Sequence, residues 1–185
     1  MRLARWRGNA RAIVLAAIGL VAAVSAGALA LAEPLVAKWE GLVNDPYRDV
    51  VGVWTVCYGE TRVPMRRYST EECRVMLRKS LARHAGEADR CMPAWTPDPA
   101  RAAFYSFAYN FGTPTFCGSG VARALRSGDL KLACRRLTTH DNGKPAWSFV
   151  KGGRNPDGSW RYRFLRGLAN RREDERALCE RGLAA

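Results

Sequence analysis

The sequence predicts an α+β, mainly α domain with one small sheet near its N-terminus, preceded by an N-terminal membrane-targeting helix. Three observations carry this. Apolar residues fill 48% of the 185 positions, enough for one compact core and too many for a disordered chain. Helix start signals recur along the chain from Pro34 onward. Strand-forming residues concentrate in one stretch, Tyr47 to Tyr58.

The first element is the uncharged run Ala12 to Ala32, preceded by Arg2, Arg5, Arg7 and Arg11. At about 1.5 Å per residue it can cross a hydrocarbon core of about 30 Å. Nine of its 21 residues are Ala, two are Gly and one is Ser, so it inserts weakly. The Arg flank keeps the N-terminus cytoplasmic and exports the chain from Glu33 onward. The domain boundaries expected are therefore residues 1–33 for the anchor or signal segment and 34–185 for the folded domain. Ala30-Leu31-Ala32 also fits a signal-peptide cleavage site, but the run is longer than a usual signal-peptide core.

Pro34 suits the first turn of a helix running to about Val43, stopped by Asn44-Asp45-Pro46. Leu35, Trp39 and Leu42 form its apolar stripe, and Glu40 lies between Val36 at i−4 and Val43 at i+3. Tyr47 to Tyr58 predicts a β-hairpin turning at Gly52. Ser69-Thr70-Glu71-Glu72 is a capping box opening a helix to about Ala88. Asp98-Pro99 opens a helix that is apolar almost all round to Tyr109, as a central buried helix is. Short helices are expected over residues 120–126 and, capped by Asp129, over 130–137. Lys151 to Trp160, with Gly152, Gly153, Pro156 and Gly158, is expected to be a loop, and a last helix to run from about Arg166 to Glu180.

The charge of +13 suits any polyanion: nucleic acid, an anionic membrane or an acidic cell-wall polymer. Export and cysteine usage argue against nucleic acid. The six Cys show no metal-ligand spacing and point to disulfides in an oxidising compartment, with 15 pairings open. His84 and His140 form no metal pattern, so neither a metal nor a cofactor is expected.

Glu40, followed at +9 by Asp49 and at +15 by Thr55, sets three hydrogen-bonding side chains near one hairpin. Glycosidic cleavage needs two carboxylates in unlike environments, one protonated to donate to the leaving oxygen and one ionised to activate water or stabilise positive charge. Glu40 suits the acid and Asp49 the base. The turn at Gly52 brings Asp49 and Thr55 to neighbouring cross-strand positions, where the Thr55 hydroxyl can hold the same water.

These residues resemble a known family. Trp39-Glu40-Gly41 with Tyr47 to Gly59, then Tyr68 to Cys73, Ser106 to Gly112, and Gly167 to Arg172 with Glu175 are similar to the catalytic helix, hairpin and helical body of phage-type lysozymes, glycoside hydrolase family 24. The resemblance covers about residues 34 to 181. It implies a two-lobed lysozyme-like fold, a small N-terminal hairpin lobe and a helical lobe. It also implies Glu40 as general acid, Asp49 as water-activating carboxylate and Thr55 as third member. The Lys151 to Tyr162 segment is longer than that pattern. The N-terminal segment resembles the signal-arrest-release anchor of endolysins in this family. Cys91–Cys117, Cys57–Cys73 and Cys134–Cys179 are the disulfides that the resemblance implies.

The expected activity is hydrolysis of the β-1,4 bond between N-acetylmuramic acid and N-acetylglucosamine in peptidoglycan, causing host lysis. The expected partners are peptidoglycan glycan strands and, through residues 12–32, the inner membrane before release. Nucleic acid is not expected as a partner. The enzyme is expected to be a monomer, tethered facing the periplasm and then soluble there. The alternatives are a lytic transglycosylase, against which Asp49 and Thr55 argue, and a catalytically inert membrane-tethered peptidoglycan-binding protein.

Overall fold

The structure, a computed structural model, describes residues 24–49 and 52–184. In chain order these form α1 (Ala26–Glu40), β1 (Val43–Arg48), β2 (Trp54–Cys57), α2 (Thr70–Asp89), α3 (Asp98–Phe111), α4 (Thr113–Gly118), α5 (Gly120–Arg126), α6 (Leu130–Arg135), β3 (Phe149–Arg154), β4 (Trp160–Phe164) and α7 (Arg166–Arg181). The strands make two separate antiparallel pairs, β1 with β2 and β3 with β4.

The core forms around α3, buried at every position from Ala100 to Ala108. Helices α1, α2, α4 and α7 pack against it. A helix covered on all sides needs an apolar circumference, and Ala102, Ala103 and Ala108 let neighbours approach closely beside Phe104 and Phe107. Helix α2 begins where its capping box requires, with Ser69 Oγ accepting from Glu72 N and Glu72 Oε2 accepting from Ser69 N. Asp129 caps α6 through Leu132 N at 2.7 Å.

Three elements differ from expectation. Helix α1 does not begin at Pro34: it starts at Ala26 behind the Ser25 cap and carries Pro34 inside it. Ser25 Oγ accepts from Ala28 N at 3.2 Å and donates to Asp98 Oδ1 at 2.6 Å, tying the start of α1 to the start of α3. Pro34 is exposed, so its ring meets solvent rather than the core. At its other end α1 stops at Glu40, because Gly41 adopts φ 72. Asn44-Asp45-Pro46 lies within β1, where the β1–β2 register is irregular between Val43 and Tyr47.

Lys151 to Trp160 is not a loop. It belongs to the β3–β4 hairpin, whose partners are Phe149 with Phe164, Lys151 with Tyr162 and Arg154 with Trp160. Alternation of Trp160, Tyr162 and Phe164 with Arg161 and Arg163 supplies the period of two, and the glycines serve a register irregularity and the turn. Helix α4 was not expected, although Pro114 in its first turn suits a helix start.

Three disulfides clamp the fold: Cys57–Cys73 joins β2 to α2, Cys91–Cys117 joins the end of α2 to α4, and Cys134–Cys179 joins α6 to α7. These are the pairs the resemblance implied. Among the described residues no helix is long and apolar enough to cross a membrane. The part of the expected anchor before Val24 lies outside the described residues. The rest runs into α1, where Ala28 and Ala32 are fully buried.

Candidate active site

The buried stripe of α1 is Ala28, Ala32 and Val36, and Glu40 is its next member, four residues on. The expectation that Val36 underlies Glu40 holds, whereas Val43 has left the helix for β1 and is exposed. Glu40 thus emerges where an apolar seam between α1 and α3 reaches the surface, its side chain 23% exposed.

Helix α7 grips this end of α1 at two points. Arg171 Nη1 donates to Glu40 Oε1 at 2.7 Å. One turn on, Asp174 Oδ2 accepts from Trp39 Nε1 at 2.9 Å and from Lys38 Nζ at 2.6 Å. Arg171 is itself fixed from below: its Nε donates to Glu175 Oε1 at 3.3 Å, and Ser106 Oγ donates to that same oxygen at 2.7 Å. Arg172 Nη2 donates to Glu175 Oε1 at 2.7 Å and to Asn110 at 3.2 Å, and its guanidinium lies about 5 Å from the rings of Phe107 and Phe111.

Glu175 and Arg172 are fully buried. Burial pushes Glu175 up and Arg172 down to about 10, while their ion pair opposes both shifts. Within the described residues Glu175 Oε2 and Arg172 Nε and Nη1 are buried without a hydrogen-bond partner, so the cluster carries a desolvation penalty for the rigidity it gives Arg171.

Asp49 and Thr55 are placed by the first hairpin. Asp49 accepts from Gly52 N through its carbonyl at 3.0 Å and from Val53 N through Oδ1 at 2.8 Å, which pins the turn. Thr55 stands opposite Tyr47 in the register, and Asp49, two residues beyond Tyr47, shares that face diagonally. Thr55 is only 4% exposed and its hydroxyl donates to Val53 O at 3.1 Å. The hairpin therefore aligns Asp49 with Thr55, while α7 orients Glu40.

Tyr109 enters the sequence pattern only as a member of the Ser106 to Gly112 stretch, and Glu60 not at all. Burial pushes the Tyr109 phenol up to about 12, a Ser80 hydrogen bond opposes the rise, and the charges of Glu40 and Glu60 add to it. Burial also raises Glu60, against the pull of Arg83 and His84. Arg171 and Glu175 stand out in the sequence only as members of a motif. A usable signal for their role was present: Ser106 and Asn110 are polar residues in the otherwise apolar and aromatic stretch 102–111, and buried polar groups need partners. Among the described residues no group of His, Cys, Asp and Glu is placed to hold a metal ion.

The sequence profile described as Phage lysozyme matches residues 37–175. A SAR-endolysin of Bacteriophage PS119 is 36% identical over 169 residues, covering 86% of this chain and 91% of that protein. Among solved structures, the endolysin from Escherichia coli O157:H7 phage FAHEc1 superposes with a TM-score of 0.68 at 20% identity, covering 84% of this chain and 92% of that one. The active form of a P1 phage endolysin gives 0.60 at 25% identity, covering 86% of each chain. The mainly helical fold with two small antiparallel sheets is lysozyme-like.

Proposed function

The chain belongs to the phage lysozyme family, and from that premise we propose that it is a peptidoglycan-hydrolysing endolysin in which Glu40 donates the proton. The observation that supports Glu40 is its place at the surface end of the buried α1 stripe Ala28, Ala32 and Val36, with its side chain oriented by Arg171. Arg171 engages Oε1 and so fixes the orientation of the Glu40 carboxyl. Glu40 protonates the glycosidic oxygen between N-acetylmuramic acid and N-acetylglucosamine as the bond to the anomeric carbon breaks. Asp49, aligned with Thr55, takes a proton from the water whose oxygen bonds to that carbon. The cleft lies between the β1–β2 lobe and the helical lobe, and the enzyme works as a monomer.

Residues 1–33 act as a releasable anchor and residues 34–185 as the muramidase domain. The two share α1. Ala28 and Ala32 are buried in the domain, so residues 26–32 occupy either the bilayer or the fold, never both. Cleavage after Ala32 would strip these residues and the Ser25 to Asp98 hydrogen bond from the core, which favours release of an intact chain over signal-peptide removal.

Glu40→Gln tests the reading. The nearly isosteric variant should keep its melting temperature and lose all but a few per cent of sacculus hydrolysis. A folded variant with more activity than that removes Glu40 from the role. Product analysis separates hydrolysis, which leaves a reducing end, from transglycosylation, which leaves an anhydro sugar.

A further inference from the structure

The β3–β4 hairpin takes no part in the bond-cleaving chemistry, yet it carries the densest exposed aromatic group among the described residues. Phe149, Trp160, Tyr162 and Phe164 are all exposed, Tyr162 at 62%. The register puts them on one face, with Phe149 opposite Phe164, Lys151 opposite Tyr162 and Arg154 opposite Trp160. Phe149 and Phe164 meet edge to face at 5.5 Å. Lys151 and Arg154 lie 4.8 and 4.3 Å from the Trp160 ring centre and brace it. Between Phe149 and Arg166 there are four basic side chains, Lys151, Arg154, Arg161 and Arg163, and one acidic, Asp157. A two-stranded ribbon gains little stability from leaving its rings in water, and such a patch marks a binding surface.

We propose that this face is an accessory binding strip for the peptidoglycan strand, outside the bond-cleaving residues. The inference rests on the endolysin reading. Aromatic rings cover the apolar CH faces of pyranose sugars, and the interleaved cations pair with the carboxylates of an acidic, peptide-bearing glycan. Position supports the same partner. Leu165 ends the hairpin and begins α7, and Arg171, which holds Glu40, is six residues further on, about 9 Å along the helix axis. A strand crossing Glu40 can continue onto the hairpin, which would slow dissociation of the polymer without touching the reacting bond.

The test compares Tyr162→Ala and Trp160→Ala with the wild-type enzyme on purified sacculi and on a short soluble oligomer of the same disaccharide. KM on sacculi should rise by about tenfold with kcat kept, turnover of the oligomer should stay at the wild-type level, and Tyr162→Phe should restore KM. Wild-type KM on sacculi in both alanine variants overturns the inference. So does a parallel loss on the oligomer, which would place the hairpin in the cleft or in the fold. Unchanged sacculus binding with weakened binding to phosphatidylglycerol vesicles would assign the strip to a lipid surface and also overturns it. Failure of the wild-type protein to hydrolyse sacculi would instead defeat the endolysin reading itself.

Discussion

Arg171 is divided between two carboxylates: Nη1 holds Glu40 at the end of α1, and Nε is turned toward the fully buried Glu175 on its own helix. The orientation of the half-buried acid is therefore set by a charge cluster beneath it. A planar guanidinium can serve both partners at once, whereas an ammonium is a single point charge.

Arg171→Lys should accordingly lower kcat on sacculi by about tenfold to a hundredfold, since small misplacements of a reacting group have effects of that size. The three disulfides and the α3 packing should survive, so near-ultraviolet circular dichroism should match the wild type. Unchanged kcat in the folded variant would show that Glu40 needs no such support.

Acid stability provides a separate check at the start of α2. The hydrogen bond from Arg66, with those from the Ser69 backbone and hydroxyl, lowers the Glu72 carboxyl from its ordinary 4.5 to about 2. Because the folded value lies below the unfolded one, this stabilisation is present above pH 4.5 and is lost as the pH falls toward 2. Glu72→Gln should lower the melting temperature near neutrality, where the stabilisation is present, and flatten its decline between pH 4.5 and 2. An equally steep acid decline in the variant would assign the effect to other groups.

The disulfides should differ in worth by the loops they close. Cys57–Cys73, Cys91–Cys117 and Cys134–Cys179 span 16, 26 and 45 residues. Chain-entropy reasoning gives about 3 kcal/mol for the shortest loop and about 4 kcal/mol for the longest. Paired Cys→Ser variants unfolded in urea should rank in that order. A reversed ranking would mean that native packing, not the unfolded chain, decides.

Elements with local signals were legible in the sequence. The capping box placed Ser69, Asp129 placed α6, and the apolar circumference of α3 marked the centre of the fold. The second hairpin was hidden because Gly152, Gly153, Pro156 and Gly158 punctuate it, so turn chemistry outweighed the alternation of Trp160, Tyr162 and Phe164. The true start of α1 was hidden for a different reason. An Ala-rich apolar run suits a bilayer and a close-packed helix equally, and only the tertiary contacts of Ala28 and Ala32 tell them apart. At the site, the spacing of Glu40, Asp49 and Thr55 was only suggestive, and it was the resemblance that singled them out. The support from Glu175 did not stand out, because acid and base at i and i+4 usually lie on a solvated face.

The double use proposed for the Ala-rich run leads to the last prediction. Ala28 and Ala32 have no exposed surface, so Leu at either position overpacks the seam against α3 by about 1–3 kcal/mol. The same Leu favours the bilayer by about 0.3–0.6 kcal/mol. Both effects push the chain toward the membrane. Ala28→Leu/Ala32→Leu should remain in the membrane fraction longer, delay lysis, and melt lower once solubilised. Ala16→Leu/Ala17→Leu, earlier in the run, should add retention through the bilayer term. Collapse of the membrane potential should release the wild-type chain at unchanged length and with activity. If the first pair lyses cells on the wild-type schedule, or the soluble form begins at Glu33, residues 26–32 are not contested between bilayer and fold.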